Sequence, residues 1–480
     1  MSAWFFAARL LLGIPTPSEM FADLSAPFIP VHLFGILIGL VHGYTPLKVL
    51  GFSSVVFGQI VVGAIGGYFG ARKGRPKRFL ALFSMLAWVV TGAFFSAVLL
   101  GNYRGANARL ATALTLVSLA LGFVVYGLVT ARLLSAPEDA ARPSPGRSAP
   151  TRATWIAGAL VTAATAIGWG RLFASSSFSY DGRMDIGPDV AALTPNERFY
   201  SVTKNVADPS VDASLWSLSV EGAVDNPVKF DLAALQALKY VEQETTLMCI
   251  NNEPGGGLMS NALRRGVTFP SLIAAAKPQA GVVRAILHAG DNYADTIPFE
   301  KAMDATTVVA YLMNGVPLPP KHGFPARAIV PGWFGEKNVK WLRSIELSTE
   351  PVKGFYERQG WGPNFHVPTH SRFDFPDFMQ PLPRGAAIDF RGVAFCGDRG
   401  VARVEVSDDD GHTWRAATFT SHYERLAWRL WRYAWRPAAR GTYRLAVRAW
   451  DANGLVQPGT DRPSETEGAT GYHRVTARVV

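Results

Sequence analysis

Cysteine is nearly absent: Cys249 and Cys396 are the only two in 480 residues. Two thiols close at most one disulfide, so the chain is not a disulfide scaffold. Neither a cysteine cluster nor a CxxCH run occurs, which excludes an internal iron–sulfur centre and a c-type haem. The net charge of +10 comes without an aromatic–basic stacking repeat, so no nucleic acid is expected as a partner. No internal repeat unit is visible. An adjacent arginine pair is missing from RSAPTRATWIAG, the segment before the last apolar stretch, so a twin-arginine export signal is not available there.

What is abundant is apolar residue, and it is unevenly spread. Four stretches, about 49–70, 79–100, 110–134 and 153–174, are long and apolar enough to cross a bilayer. Between the first two lies ARKGRPKR, with Arg72, Lys73, Arg75, Lys77 and Arg78 and no acid, which the positive-inside rule places in the cytoplasm. The loop 135–152, carrying Arg142, Arg147 and Arg152 with four prolines, reads as a flexible linker on the same side. Everything after about 175 then lies outside the cytoplasm. Residues 28–45 read either as a fifth span or as an interfacial helix, and 2–13 as an amphipathic surface segment. His32 and His42 sit ten residues apart there, which puts them on different faces of one helix and argues against paired haem ligation.

From 190 the chain reads as a soluble protein. LWSLSVEGAV alternates as a strand, DLAALQAL follows as a short helix capped by Asp231, and VVRAILHAGDNY is a strand entering a loop at Asp291. TTVVAYLMNG is apolar up to a turn at Asn314-Gly315. After about 384 the period-two segments VARVEV, WRLWRYAW and TYRLAVRAW, spaced for a sandwich, predict an immunoglobulin-like fold whose tryptophans form core. Cys396 reads as a small buried hydrophobe.

The densest chemistry lies in KHGFPARAIVPGWFGEKNVK, residues 321–340. It sets His322, Arg327 and Lys340 among prolines and the glycines 323, 332 and 335. Glycine lets backbone N–H groups approach a ligand closely, and basic side chains add charge-assisted donors. That combination suits a large anion carrying a phosphate. The soft sulfur of Cys249, some 70 residues upstream, adds a metal ligand to the anion cradle.

Together with TTLMCINNEPGGGLMSNALRRGV and HAGDNYADTIP, this stretch resembles the sulfite-oxidase family of molybdopterin enzymes. The resemblance covers about 195–480, in the order HGFPxR, PG, G, VKWL. The CINNEPGG variant and the apolar N-terminus look like a bacterial, membrane-anchored branch. The architecture implied is multi-domain: an amphipathic segment at 1–27, a transmembrane α-helical bundle at 28–174, an α+β sulfite-oxidase-type molybdopterin domain at 190–380 and an immunoglobulin-like β-sandwich at 384–480. The cofactor implied is Mo-molybdopterin, with Cys249 as the molybdenum thiolate. His322 and Arg327 would contact the pterin and its phosphate; Asn338, Val339 and Lys340 would close the cradle; Asp291 would hold the pterin edge.

Two departures bear on substrate. Where such enzymes carry an arginine in an FxVRNH-like segment, FYSVTKNV offers Thr203 and Lys204, and a lysine does not replace a guanidinium fork. Near the metal, YERQGWG offers Trp361, and Arg358 and Arg372 are candidates to line the pocket. His366 and His370 form an H-x3-H pair without a third ligand, which is too little for zinc. The expectation is a multi-pass inner-membrane oxidoreductase with an extracytoplasmic catalytic domain. It would move an oxygen atom to or from a small sulfur or nitrogen compound, exchange electrons with an external donor or acceptor, and dimerise through the sandwich. The rival readings are a non-catalytic molybdopterin-binding sensor or assembly protein, and an anchored binder of cell-wall material.

Overall fold

In the computed structural model, residues 2–42, 44–72, 76–134, 160, 163–172, 187, 190–385 and 387–480 are described. The first six helices are α1 (Ser2–Leu12), α2 (Pro17–Ser25), α3 (Val31–Leu40), α4 (Tyr44–Ala71), α5 (Pro76–Phe94) and α6 (Ala108–Leu134). Three helices among the described residues are long and apolar enough to span a bilayer, over Pro46–Ala71, Lys77–Phe94 and Ala108–Arg132. They match three of the four expected stretches. The second is shorter than expected. Its helix ends at Phe94 and a 3-10 turn, Ser96–Val98, follows, where Val98 and Leu99 bury against Phe5 and Met20. The expected fourth stretch lies partly outside the described residues; 163–172 is helical, with Trp169 set against Phe6 and Phe52.

Residues 28–45 do not form a span. α3 has only 10 residues, about 15 Å of helix, against about 30 Å of hydrocarbon core. Nor does 2–13 lie alone on a surface. α1 buries Phe5, Phe6, Ala8 and Arg9, and Trp4 Nε1 donates to Ser118 O on α6 at 2.9 Å. Buried Arg9 pairs with Glu19 of α2 at 2.8 Å, and a Thr16–Glu19 capping box starts α2.

The cofactor-type domain is built on two sheets. Its strands are β1 (Leu218–Gly222), β2 (Val228–Phe230), β3 (Val241–Met248), β4 (Met259–Thr268), β5 (Arg284–Ala289), β6 (Ala294–Pro298), β7 (Val308–Met313), β8 (Val316–Pro317), β9 (Arg327–Ile329) and β10 (Leu342–Ser348). One sheet has the order β2-β1-β10-β5-β6, with β1 and β10 parallel; the other has β3-β4-β7-β8, with β9 on β7. The short helix Leu232–Ala237 carries its predicted cap, Asp231 accepting from Ala234 N. The predicted turn after β7 uses Asn314 and Gly315, both at positive φ, as a two-residue hairpin of this twist requires.

The sandwich consists of β11 (His370–Phe375), β12 (Ile388–Phe395), β13 (Val401–Ser407), β14 (Arg415–Ala416), β15 (Thr418–Phe419), β16 (Arg429–Trp435), β17 (Gly441–Asp451) and β18 (His473–Val479). Its sheets run β11-β12-β16-β15 and β14-β13-β17-β18. β11 pairs with β12, so the sandwich begins at His370 and not near 384. Cys396, Trp431 and Trp435 sit in its core as expected.

The helical region docks on the loops of the cofactor-type domain through buried polar contacts. Lys204 Nζ donates to Asp23 of α2 and, at 2.9 Å, to Asp291 O; Asn292 Nδ2 donates to Asp23 Oδ2 at 3.1 Å. Lys48 of α4 donates to the carbonyls of Thr203 and Asn205. Gln359 Nε2 donates to Ala26 O at 2.7 Å, and Asn102 N to Gly290 O at 2.8 Å. Burial works against the Lys204 charge, but the carboxylates of Asp23 and Asp291 outweigh it and hold the ammonium above its ordinary range.

Removing one member of a buried pair leaves the other uncompensated. Asp23→Leu is therefore expected to cost about 3–5 kcal/mol of stability, and Asp23→Leu with Lys204→Met to recover most of it. Thermal unfolding of the purified full chain measures both. A single-variant loss no larger than that of the double variant would show that the pair does not hold the interface.

Candidate functional site

A cavity of about 400 Å³ lies between the two sheets' loops on one side and α2, α3 and α4 on the other. Cys249, Thr203, Lys204, Asp291, His322, Arg327, Asn338, Val339, Lys340 and Trp361 all line it. Arg372 does not. It lies on β11, paired with Asp374 at 2.7 Å and donating to Gly256 O at 2.9 Å, so its charge serves the junction with the sandwich. Arg358 is also outside the lining, donating to Lys353 O.

Cys249 follows β3 directly. Its N–H donates to Leu258 O at 2.9 Å, and Asn252 closes the loop by donating from its N to Cys249 O and accepting from Leu258 N. Burial pushes the Cys249 thiol up to about 12, so it is protonated at neutral pH unless a metal ion displaces the proton. The loop of Gly335 passes beneath it. A Cβ there would stand 2.7 Å from Tyr200 Oη and 3.8 Å from Cys249 Cα. Gly323 has φ +108 and sits against Lys340, whereas Gly332 faces Asp398 and is not part of the cavity.

The cations on the floor are held in different ways. Arg327 donates to His322 O and Asn338 O, at 3.2 and 2.7 Å, while its Nε is buried without a partner among the described residues. Asn338 offers the cavity its backbone; its side chain is used up on Val330 N, Trp333 O and Phe334 O. His322 donates from Nε2 to Asn196 O at 2.9 Å, and burial pushes its pKa down to about 2, so the ring is neutral. Lys340 Nζ donates to Lys321 O at 3.1 Å, and burial lowers its pKa too. Asp291 accepts from Asn205 Nδ2 at 2.7 Å and from Tyr293 N.

One residue escaped the sequence reading. Arg264 on β4 is wholly buried, and all three of its guanidinium nitrogens lack a partner among the described residues. Its guanidinium lies over the Phe199 ring, 4.9 Å from the centroid, beside Arg327 and His322. Burial, and then Arg327, depress its pKa well below the usual guanidinium range. Two adjacent guanidinium groups without an acidic partner among the described residues form a site short of negative charge. The signal lay in LRRG: on a strand, one of two neighbouring arginines must face inward.

Two acids complete the picture. Glu336 lines the cavity, its Oε1 has no partner among the described residues, and burial pushes its carboxyl up to about 8. Asp295 is paired at 2.7 Å with Lys337, both side chains fully buried, which fixes the turn that carries Gly335 and Glu336. His366 packs on Trp333, and no group of three metal-ligating side chains occurs among the described residues.

Comparison with known proteins agrees with this geometry. Residues 205–356 match the oxidoreductase molybdopterin binding domain, and 375–479 the Mo-co oxidoreductase dimerisation domain. Mitochondrial sulfite oxidase of Homo sapiens is 30% identical over 319 residues, covering 56% of this chain and 58% of that protein. Thus the chain spans little more than half of that relative. An uncharacterized oxidoreductase of Bacillus subtilis, YuiH, is 34% identical over 152 residues, 31% of this chain and 74% of that one. A crystal structure of the sulfane dehydrogenase SoxCD from Paracoccus pantotrophus shares the fold, with TM-score 0.52 and 22% identity over 60% of this chain and 80% of that chain.

The cofactor these domains imply is Mo-molybdopterin, and the residues fit it. A soft sulfur beside a cavity suits the metal. Unpartnered guanidinium nitrogens in and behind its floor suit a phosphate. Gly323 and Gly335 let the floor loops pack closely on Lys340 and Tyr200, where a Cβ would crowd them.

Arg264→Met should therefore stabilise the cofactor-free protein, by about 1–4 kcal/mol, while lowering the molybdenum content of protein made in a cofactor-producing host. Unfolding curves and metal analysis read the two effects; a rise in both would show that Arg264 does not serve an anion. His322 gives a pH test. Its folded pKa is depressed, so its stabilising contribution is complete above its ordinary value of 6.5 and is lost as pH falls from there toward about 2. Between pH 6.5 and 4.5 the cofactor-free parent should lose about 1.4 kcal/mol per unit more than His322→Gln, measured by denaturant unfolding.

Proposed function

We propose, because this chain belongs to the sulfite oxidase family of molybdopterin oxidoreductases, that it is a membrane-anchored oxidoreductase acting on a small sulfur or nitrogen compound. The observation that carries the reading is Cys249, the only thiol in a cavity whose floor is cationic and short of anions. When bound, the cofactor supplies two-electron oxygen-atom transfer at molybdenum. The chain supplies the rest. Cys249 holds the metal as a thiolate, its loop fixed by Asn252. Arg327 and Lys340 would hold the anionic part of the cofactor, with Arg264 behind them and neutral His322 bracing the turn through Asn196. Asp291 holds its edge, itself oriented by Asn205 and Tyr293. Glu336, mostly protonated at neutral pH, can hold or release a proton at Oε1 within the cavity.

Substrate recognition differs from a guanidinium fork. At the position of the altered segment, Lys204 is committed to Asp23, and Thr203 gives its carbonyl to Lys48. Trp361 brings an indole N–H without a partner among the described residues. A site of ammonium groups and one indole donor suits a substrate with a single polar oxygen better than a bidentate oxyanion. That favours an S-oxide or N-oxide couple, with the oxygen atom moved in either direction.

Anchoring and orientation rest on charge. The cofactor-type domain docks at the end of α4 that carries Lys48, and the basic segment around Arg72 lies at the other end. By the positive-inside rule the catalytic domain then faces away from the cytoplasm. The sandwich is the surface through which two copies would pair.

Cys249→Ser is expected to lower dye-linked oxidoreductase activity by at least about a hundredfold, beyond what loss of an outer-shell partner does. The parent should carry molybdenum near one atom per chain, measured by elemental analysis. Retained activity in the variant would remove the enzymatic reading of Cys249, and molybdenum far below that level in the parent would remove both cofactor readings and leave the binder of cell-wall material.

A further inference from the structure

The cavity has two chemistries. Its floor is polar and cationic, but its roof is made by Phe21 and Ala22 of α2, Phe34 and Leu37 of α3, and Leu47 and Phe52 of α4. None of these offers a hydrogen bond to a pterin or a phosphate. The roof belongs to the helical region, and it continues outward as exposed apolar surface. α3 has no buried residue: Phe34 and Leu37 face the cavity at i and i+3, while Leu33, Ile36 and Leu40 face away. Ile36 is 57% exposed, Leu40 71% and the neighbouring Phe28 75%. In water such a helix would be costly on both sides. Next to a span that begins at Pro46, its outer face belongs in lipid. The apolar half of the cavity is therefore separated from the bilayer only by short helices.

Electrons must also leave or enter. The described residues hold no cluster that could carry a second metal centre, and both cysteines are buried and apart in different domains. The cavity itself is then a place where a carrier can exchange electrons, and its apolar roof suits one with an apolar tail.

Building on the function proposed above, we infer that the roof between α2, α3 and the start of α4 is a binding site for a lipid-dissolved quinone, which enters from the bilayer and is the protein's electron partner. The quinone tail would lie along Phe21, Phe34, Leu37 and Phe52, and one of its oxygens would meet the indole N–H of Trp361. The balance is complete: substrate, water and quinone give the oxygenated substrate and quinol, with two electrons and two protons passing to the quinone, or the reverse.

The test uses the full chain in lipid nanodiscs, titrated with decylubiquinone and with the same head group lacking the tail. Quenching of tryptophan fluorescence reads binding, since Trp341 and Trp361 line the cavity. Saturable quenching is expected, with the tail-less head group weaker by at least about tenfold, as buried CH₂ groups dictate. Ala22→Phe and Ser25→Phe, which fill the roof, should weaken decylubiquinone by about tenfold while molybdenum content and melting temperature stay at the parent's. Absence of saturable quenching, equal affinity for the tail-less head group, or unchanged affinity in both folded roof variants would overturn the proposal. The comparison of the two quinones needs no variant, so it decides even if one misfolds. Molybdenum measured on the same samples separates the two readings: quinone binding without molybdenum sinks the enzyme, and molybdenum without quinone binding sinks only this inference.

Discussion

A cavity that receives a large anion must store positive charge before the anion arrives, and storing charge away from water is costly. This chain solves the problem differently for each cation. Lys204 is paired with Asp23, Lys48 is held by the carbonyls of Thr203 and Asn205, and Arg327 by those of His322 and Asn338. Only Arg264, lying over the Phe199 ring, has no polar partner among the described residues. The deepest charge is thus the least compensated, which concentrates the attraction for an anion beneath the cavity. The partner of Lys204 comes from α2, in the helical region. Docking of that region and the charge balance of the cavity are one interaction, so neither half of the chain is complete without the other.

Much of this was legible from residue patterns. Apolar length located three helices long enough to span a bilayer, period-two alternation located the sandwich strands, and the loop motifs pointed to ten residues that line one cavity. Where the reading failed, long-range register was the missing quantity. Arg264 and Arg265 are neighbours on β4; the first is buried, and the second pairs with exposed Glu242. Nothing local decides which of two adjacent strand residues faces in. Arg372 is the opposite case. On a strand, residues two apart share a face, so RFD already placed Asp374 beside it and offered a structural partner.

Residues 28–45 show a different limit. Apolar composition allows either a fifth span or an interfacial helix, and the helix runs for 10 residues only, between Pro30 and a turn where His42 takes positive φ. Hydrophobicity reports what a segment avoids, and here two different apolar environments satisfy it. Likewise the motif points to Asn338 as a cofactor ligand, and Asn338 lies in the cavity lining. Its side chain nevertheless shapes the loop, because three backbone groups near Phe334 need partners when they are buried.

The short α3 then acquires a physical reason. A helix of about 15 Å is too short to cross a bilayer, and one that exposes Leu33, Ile36 and Leu40 is costly in water. An environment with lipid on one face and an apolar interior on the other would satisfy it, as the inference above requires. The interior it meets is the roof of a cavity whose floor is built for an anion. An enzyme that needed its cavity only for a water-soluble substrate would gain nothing from such a wall, since polar loops close a cavity at less cost. The wall makes sense when something apolar has to reach the same site. If the quinone proposal holds, fusing the helical region to the cofactor-type domain would bring the carrier to the cavity directly, without an internal relay of metal centres.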